Sequence, residues 1–165
     1  MAVLLAACST GPAPSAPSAQ PTAVSTGSLA LPPVGCGATP ANQAAPPAWT
    51  ADANPPSQMQ IVLSQEGSVA AFPFGAPLHV PPIVSGRTNK ILWIVREPRN
   101  GQPLSLTGHP LGASVPAVSY SFPANGGPGE IYSTIVDVPS AGCWHFTLTW
   151  GANTGHIDMQ YGSGA

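Results

Sequence analysis

Three cysteines are the first side chains to consider for chemistry in this 165-residue chain, and Cys143 is the most informative of them. It begins the alternating, aromatic-rich run CWHFTLTW, where a thiol would serve as a nucleophile, a metal ligand, a packing residue or half of a disulfide. A nucleophilic thiol needs a positioned base and a group that orients that base. His145 lies two residues away, but the sequence offers no acid partner for it. We therefore predict that the protein is not an enzyme and assign no catalytic residue.

The amino terminus, MAVLLAAC, resembles a bacterial lipobox, in which a small-residue cleavage site precedes a lipid-modified cysteine. The resemblance implies that residues 1–7 are the remnant of a signal peptide and that Cys8 is the first residue of the mature protein. A diacylglyceryl group on Cys8 would anchor the chain to a membrane, since each buried CH₂ contributes about 0.8 kcal/mol. We therefore expect an extracytoplasmic protein, anchored to the membrane at the cell surface or in the periplasm.

Lipidation of Cys8 would leave Cys36 and Cys143 as the remaining cysteines. In an oxidising compartment the simplest outcome is a disulfide between them. On a strand from residue 143 to 150, the aromatic side chains would share the buried face and Cys143 would lie on the opposite, polar face. The disulfide is therefore predicted to clamp the segment around Cys36 to the outside of a sheet.

The histidines raise the question of a copper or zinc site; they are His79, His109, His145 and His156. Ligands of one ion must lie within a few ångströms of each other. If residues 151–155 form the loop of a hairpin, His145 and His156 are separated by on the order of 20 Å. His79 and His109 lie in Pro- and Gly-rich segments, without H-x-H or C-x-x-C spacing. We assign no metal and no cofactor, and keep His79 with His109 as the weaker alternative.

Charge limits the possible partners. Charged residues make up 6% of the chain, against roughly 25% in ordinary soluble proteins, and a net charge of -2 argues against nucleic-acid binding. All four cations fall in one stretch: Arg87, Lys90, Arg96 and Arg99. They would form a small basic patch for lipid headgroups or an acidic polymer, or flank an apolar strand as a protection against aggregation, which is the interpretation that the pattern favours.

Proline divides the chain into regions, because half of the 22 prolines lie between residues 11 and 57. Residues 8–33 are rich in Pro, Ala and Ser and contain too little apolar bulk to fold, so they are predicted to form a disordered, flexible tether. Residues 34–57 are predicted to be an extended segment held by Cys36. Residues 58–165 alternate in the manner of β-strands and form the predicted folded domain.

The folded region predicts an all-β domain. About seven or eight short strands are separated by turn residues, which is typical of an immunoglobulin-like, two-sheet antiparallel sandwich. The run KILWIVRE is almost continuously apolar and should be central or covered on both faces, and Trp49 should pack over the sandwich. Residues 71–82 and 123–129 are the irregular segments where a binding surface would form.

The order of strands ending in PSAGCW, residues 139–144, is similar to a group of uncharacterised bacterial lipoproteins with a C-terminal immunoglobulin-like domain and a P-x-x-G-C-W turn. The resemblance spans roughly residues 36–161 and implies fold and export, not an activity. We expect a binding or envelope-structural module whose partners are a membrane, through Cys8, and an envelope protein or glycan. The alternative is a copper- or zinc-handling or redox-associated envelope protein.

Overall fold

The computed structural model describes residues 33–42, 45–84, 86–125 and 127–164. The predicted signal peptide, Cys8 and the tether as far as residue 32 lie outside the described residues. The described chain forms one short 3₁₀ helix, Ala48–Ala53, and nine strands. The strands are β1 (Val62–Leu63), β2 (Val69–Pro73), β3 (Leu78–His79), β4 (Lys90–Val95), β5 (Leu104–Pro110), β6 (Val118–Phe122), β7 (Ile131–Ile135), β8 (Gly142–Trp150) and β9 (Asn153–Gly162).

Two sheets contain these strands, in the orders β1-β2-β4-β7 and β3-β9-β8-β5-β6. They pack as the predicted all-β, immunoglobulin-like sandwich. All strand pairs are antiparallel except β3 with β9, which is parallel. The exception arises because the chain bends after Pro73 and passes from one sheet to the other, as strands do at the corners of sandwiches.

The core lies between the sheets, and β8 shows how the sequence pattern creates it. Its residues alternate between buried and partly exposed along the strand. Trp144, Phe146, Leu148 and Trp150 are at most 1% exposed. The predicted face of Cys143 is therefore confirmed: it lies on the outer side of the sheet.

A smaller apolar cluster covers the outer face of the four-stranded sheet. Ile61, Ala70, Phe72 and Ile94 form its buried part, and Trp49 packs against them. The central position of β4, between β2 and β7, confirms the interpretation of KILWIVRE as a strand covered on both faces. The packing of Trp49 over the sandwich is also confirmed.

The β8–β9 hairpin differs from the prediction. Trp150 pairs with Asn153, so the turn contains two residues, Gly151 and Ala152, and not five. Gly151 has φ 59°, and a glycine with positive φ at the first turn position is typical of type II′ hairpins. The shorter turn shifts the register, so that His156 lies opposite Thr147.

The sandwich has two ends, which we call proximal and distal. The proximal end contains the β3–β4, β5–β6 and β7–β8 connections, and Asn89 joins the sheets there through hydrogen bonds with His79 and Val136. Pro33, where the described chain begins, lines a cavity with Leu78 and His79 at this end. The distal end contains the β1–β2, β4–β5, β6–β7 and β8–β9 connections, where Trp150 Nε1 donates to the carbonyl of Glu97.

Candidate functional site

The predicted disulfide between Cys36 and Cys143 is present, with the two Cα atoms 5.9 Å apart and 107 residues between them in sequence. It fastens the segment after Pro33 to the outer face of β8. Backbone contacts extend this attachment to β9, because Gly35 forms a bridge with Met159 and the carbonyl of Val34 accepts a hydrogen bond from Gln160 N–H. Neither cysteine retains a free thiol, so the alternatives of a nucleophile and a metal ligand at Cys143 are wrong for this structure.

Asp158 is the polar centre of the attachment and is 1% exposed. Its Oδ2 accepts a hydrogen bond from Ala38 N–H at 2.8 Å, and its Oδ1 lies 2.6 Å from His145 Nδ1. Thr39 Oγ1 accepts a hydrogen bond from the backbone N–H of Asp158 and donates one to its carbonyl. A carboxylate so deeply buried requires such partners, because burial of an unpaired charge is costly. Asp158 therefore holds the amino-terminal segment against β9 through these hydrogen bonds.

Three of the four histidines form a row on the outer face of the five-stranded sheet. His109 and His145 are direct cross-strand partners, with ring centroids 5.2 Å apart. His145 and His156 have centroids 5.7 Å apart. The prediction that about 20 Å separates His145 from His156 is therefore wrong, and the cause is the two-residue turn at Gly151.

Each ring in this histidine row is held through Nδ1. The acceptors are the carbonyl of Pro110 for His109, Asp158 Oδ1 for His145 and Glu66 Oε1 for His156, at 3.0, 2.6 and 2.6 Å. An oxygen acceptor requires a proton on Nδ1, so in the neutral ring Nε2 is an acceptor. Burial raises the pKa of Glu66, but hydrogen bonds from the side chain and backbone of His156 more than offset this and lower its pKa below the ordinary value.

The row does not have the geometry of a chelating site. The His145 and His156 rings are inclined by only 16°, and the His109 and His145 rings by 33°. The lone pair of Nε2 lies in its ring plane, so the lone pairs of nearly parallel rings do not converge on one ion. Among the described residues, no three His, Cys, Asp or Glu side chains are placed to hold a metal ion.

His79 lies far from the row. It is on β3, and β9 and β8 separate β3 from β5, which carries His109. At about 4.8 Å per strand spacing, the two histidines are at least roughly 14 Å apart. The structure does not bring together the pair that was the weaker metal alternative. His79 instead forms hydrogen bonds with Asn89 and with the carbonyl of Ser163.

The face around the histidine row is rich in hydroxyl groups, and the Glu66 carboxylate contacts it at His156. Across β5, β8 and β9, Ser105, Thr149 and Thr154 form one cross-strand row, and Thr107, Thr147 and His156 form the next. On β6, Ser119 and Ser121 extend both rows. All of these side chains are exposed or partly exposed. We call this surface the hydroxyl face; its strands present hydroxyl and imidazole groups as hydrogen-bonding partners.

The four cations do not form one patch. Arg87 and Lys90 lie at the proximal end, and Arg96 and Arg99 at the distal end. Arg99 is committed to structure: its guanidinium contacts Glu130 and donates to two carbonyl groups. Of the two irregular segments, residues 71–82 contain the end of β2, the short strand β3 and the connections beside them, and the described residues of 123–129 belong to the distal end. In the described part of the chain, no helix has the length and apolar character that crossing a membrane requires.

Comparisons with known proteins add no identification. No family model matches the chain, and neither the curated proteins nor the solved structures gave a match. The functional interpretation therefore rests on the residues and geometry described above.

Proposed function

We propose that the protein is a lipid-anchored, extracytoplasmic lipoprotein whose sandwich is a non-enzymatic binding or structural module of the cell envelope. The lipobox-like residues that end at Cys8 supply the anchor in this proposal. The sandwich supplies a rigid surface for an envelope protein or glycan.

The observation that carries the proposal is the Cys36–Cys143 disulfide. Stable disulfides form in oxidising compartments and are rare in the cytosol, where thiols are kept reduced. The disulfide also secures residues that are otherwise attached mainly through Asp158 and a few backbone hydrogen bonds. Both features fit a protein that folds after export and carries its anchor before Cys36.

Cell fractionation with fatty-acid labelling tests the anchor. The full chain, expressed behind an export signal in a bacterium, is fed an alkyne-tagged fatty acid and compared with a Cys8→Ser variant. We expect label and membrane association for the first protein, and neither for the variant. Equal labelling of both proteins, or no labelling of either, would contradict the proposed anchor.

The hydroxyl face is the binding surface that we favour within this function. Hydroxyl and imidazole groups on the outer face of this sheet match the hydroxyl groups of a glycan, which hydrogen-bonds without requiring a charged partner. Thr147 lies near the centre of this face, next to His145 and opposite His156. Thr147→Arg should therefore abolish cosedimentation with insoluble cell-wall glycan. Ser133→Arg, on an exposed position of β7, is the matched control; equal loss from both variants, or no loss from Thr147→Arg, would contradict the assignment.

A further inference from the structure

The large exposed hydrophobic side chains of the described residues share one end of the molecule. They are Phe74, Val84, Leu111, Val115 and Ile135, with exposures of 47, 44, 51, 75 and 51%. Val84 belongs to the β3–β4 connection, and Leu111 and Val115 to the β5–β6 connection. Phe74 and Ile135 flank Lys90 at the start of β4, because Phe74 N–H donates to the carbonyl of Lys90 and Ile135 pairs with it. All five are therefore at or next to the proximal end.

The charged side chains also differ between the proximal and the distal end. Among the described side chains, Arg87 and Lys90 lie at the proximal end with one carboxylate, Asp137, which accepts a hydrogen bond from Asn89. The Lys90 ammonium lies 5.4 Å from the centre of the Phe74 ring. At the distal end, the carboxylates of Glu66, Glu97 and Glu130 outnumber the cations. The described side chains of the proximal end thus combine exposed apolar groups with more cations than carboxylates.

The path of the chain adds a third, independent observation. Pro33 lines a cavity of about 270 Å³ with Pro77, Leu78 and His79. The described part of the chain therefore begins at the proximal end.

We propose that the proximal end is a contact surface for an anionic membrane. This inference rests on the proposed function, because the anchor at Cys8 would bring the domain to a bilayer. Phe74 and its apolar neighbours enter the boundary between headgroups and acyl chains, and Arg87 and Lys90 pair with lipid phosphates. The adjacent ring and ammonium of Phe74 and Lys90 suit this boundary, since one is apolar and the other remains at the level of the phosphates.

Vesicle cosedimentation of the full chain carrying Cys8→Ser tests the surface without the lipid anchor. We expect binding to vesicles of equal phosphatidylglycerol and phosphatidylcholine at low salt, and little binding to phosphatidylcholine alone. The double variant Arg87→Gln/Lys90→Gln should bind at least roughly tenfold more weakly, because each cation near an anionic surface contributes on the order of 1 kcal/mol. Arg96→Gln, which removes a distal cation, is the control and should change binding by less than about twofold.

A fluorescent reporter identifies which end touches the lipid. Trp93, Trp144 and Trp150 are at most 1% exposed, and the partly buried Trp49 is replaced by phenylalanine in the reporter proteins, so a tryptophan placed at residue 74 is distinguishable from the native ones. Phe74→Trp should be quenched by brominated lipids in anionic vesicles, and Gln102→Trp at the distal end should not. Absence of binding to anionic vesicles, equal weakening by Arg96→Gln, or equal quenching at both positions would overturn the inference. Since these proteins carry Cys8→Ser, such a failure leaves the anchor to be decided by fatty-acid labelling.

Discussion

The two ends of the sandwich are built from similar short connections but use their side chains in opposite ways. At the distal end, Arg99 is fixed by Glu130 and by the carbonyls of Gly129 and Ile131, and Glu66 is fixed by His156. At the proximal end, Phe74 and Val115 project into solvent and are 47 and 75% exposed. At the distal end, these charged side chains form contacts that stabilise the fold. At the proximal end, exposed apolar groups and cations are available for contact with a partner.

The largest effect is expected from the disulfide, which secures the amino-terminal segment near the proximal end. Replacing Cys36 and Cys143 with alanine should lower the free energy of unfolding by up to about 4.7 kcal/mol, because a loop of roughly 100 residues is no longer closed in the unfolded chain. Urea denaturation of the oxidised protein and the variant measures the difference. Reduction of the unmodified protein is the control and should give a similar loss. A difference below about 1 kcal/mol would show that the segment is held without its disulfide.

Substitution of one arginine at each end compares what a cation contributes to stability at the two ends. Arg99→Ala should cost about 2–3 kcal/mol of unfolding free energy, because it removes charge-assisted hydrogen bonds and the contact of the guanidinium with the Tyr132 ring. Arg87→Ala, at an exposed proximal position, should change stability by less than about 0.5 kcal/mol. Chemical denaturation of both variants measures this. Equal costs would remove the distinction between structural and available cations.

The β8–β9 turn provides the next test, at the distal end. Gly151 has φ 59°, a conformation that costs residues with a Cβ about 1–2 kcal/mol. Gly151→Ala should therefore destabilise the protein by that amount in thermal or urea unfolding. Ala152→Gly is the control and should cost less than about 1 kcal/mol. If Gly151→Ala has no effect, the turn and the histidine register that depends on it are incorrect.

The smallest effect concerns Glu66 and His156. Burial raises the pKa of Glu66, but its hydrogen bonds with His156 lower the pKa below the usual 4.5 in the folded protein. A depressed carboxyl pKa contributes stability above pH 4.5, and this contribution is lost as the pH falls through the folded-state pKa. Glu66→Gln should thus cost less than about 1 kcal/mol at pH 7, as for an exposed ion pair, and the difference should shrink toward pH 3. An increase on acidification would contradict the sign.

The sequence allowed the sandwich, the outward position of Cys143 and the coverage of β4 to be predicted, because each depends on local periodicity. The alternation of CWHFTLTW separates two faces of a strand regardless of its neighbours. The register of β9 depends instead on which residues form the turn. The sequence is compatible with a two-residue turn at Gly151 and Ala152, since glycine suits its first position, and equally with a five-residue loop over residues 151–155; only the register shows which one forms.

The histidine row and the division between the two ends could not be predicted with the same tools. His109, His145 and His156 come from three strands, and their proximity depends on two registers. Asp158 lay in a strand with no spacing that marked it as a buried partner of His145. Four of the five exposed apolar side chains occupy connections, which have no periodicity. Only the topology shows that these connections meet at one end with Ile135, the last residue of β7.

The redox state of Cys36 and Cys143 in living cells tests the central claim, which is that the folded domain holds a Cys36–Cys143 disulfide in an oxidising compartment. Cells that express the full chain behind an export signal are treated with a permeant maleimide before lysis, and the alkylated cysteines are identified by mass spectrometry. We predict that Cys36 and Cys143 remain unmodified until a reductant is added, because they form the disulfide seen in the structure. Alkylation of both thiols without reductant would contradict the disulfide and, with it, the observation that carries the proposed function.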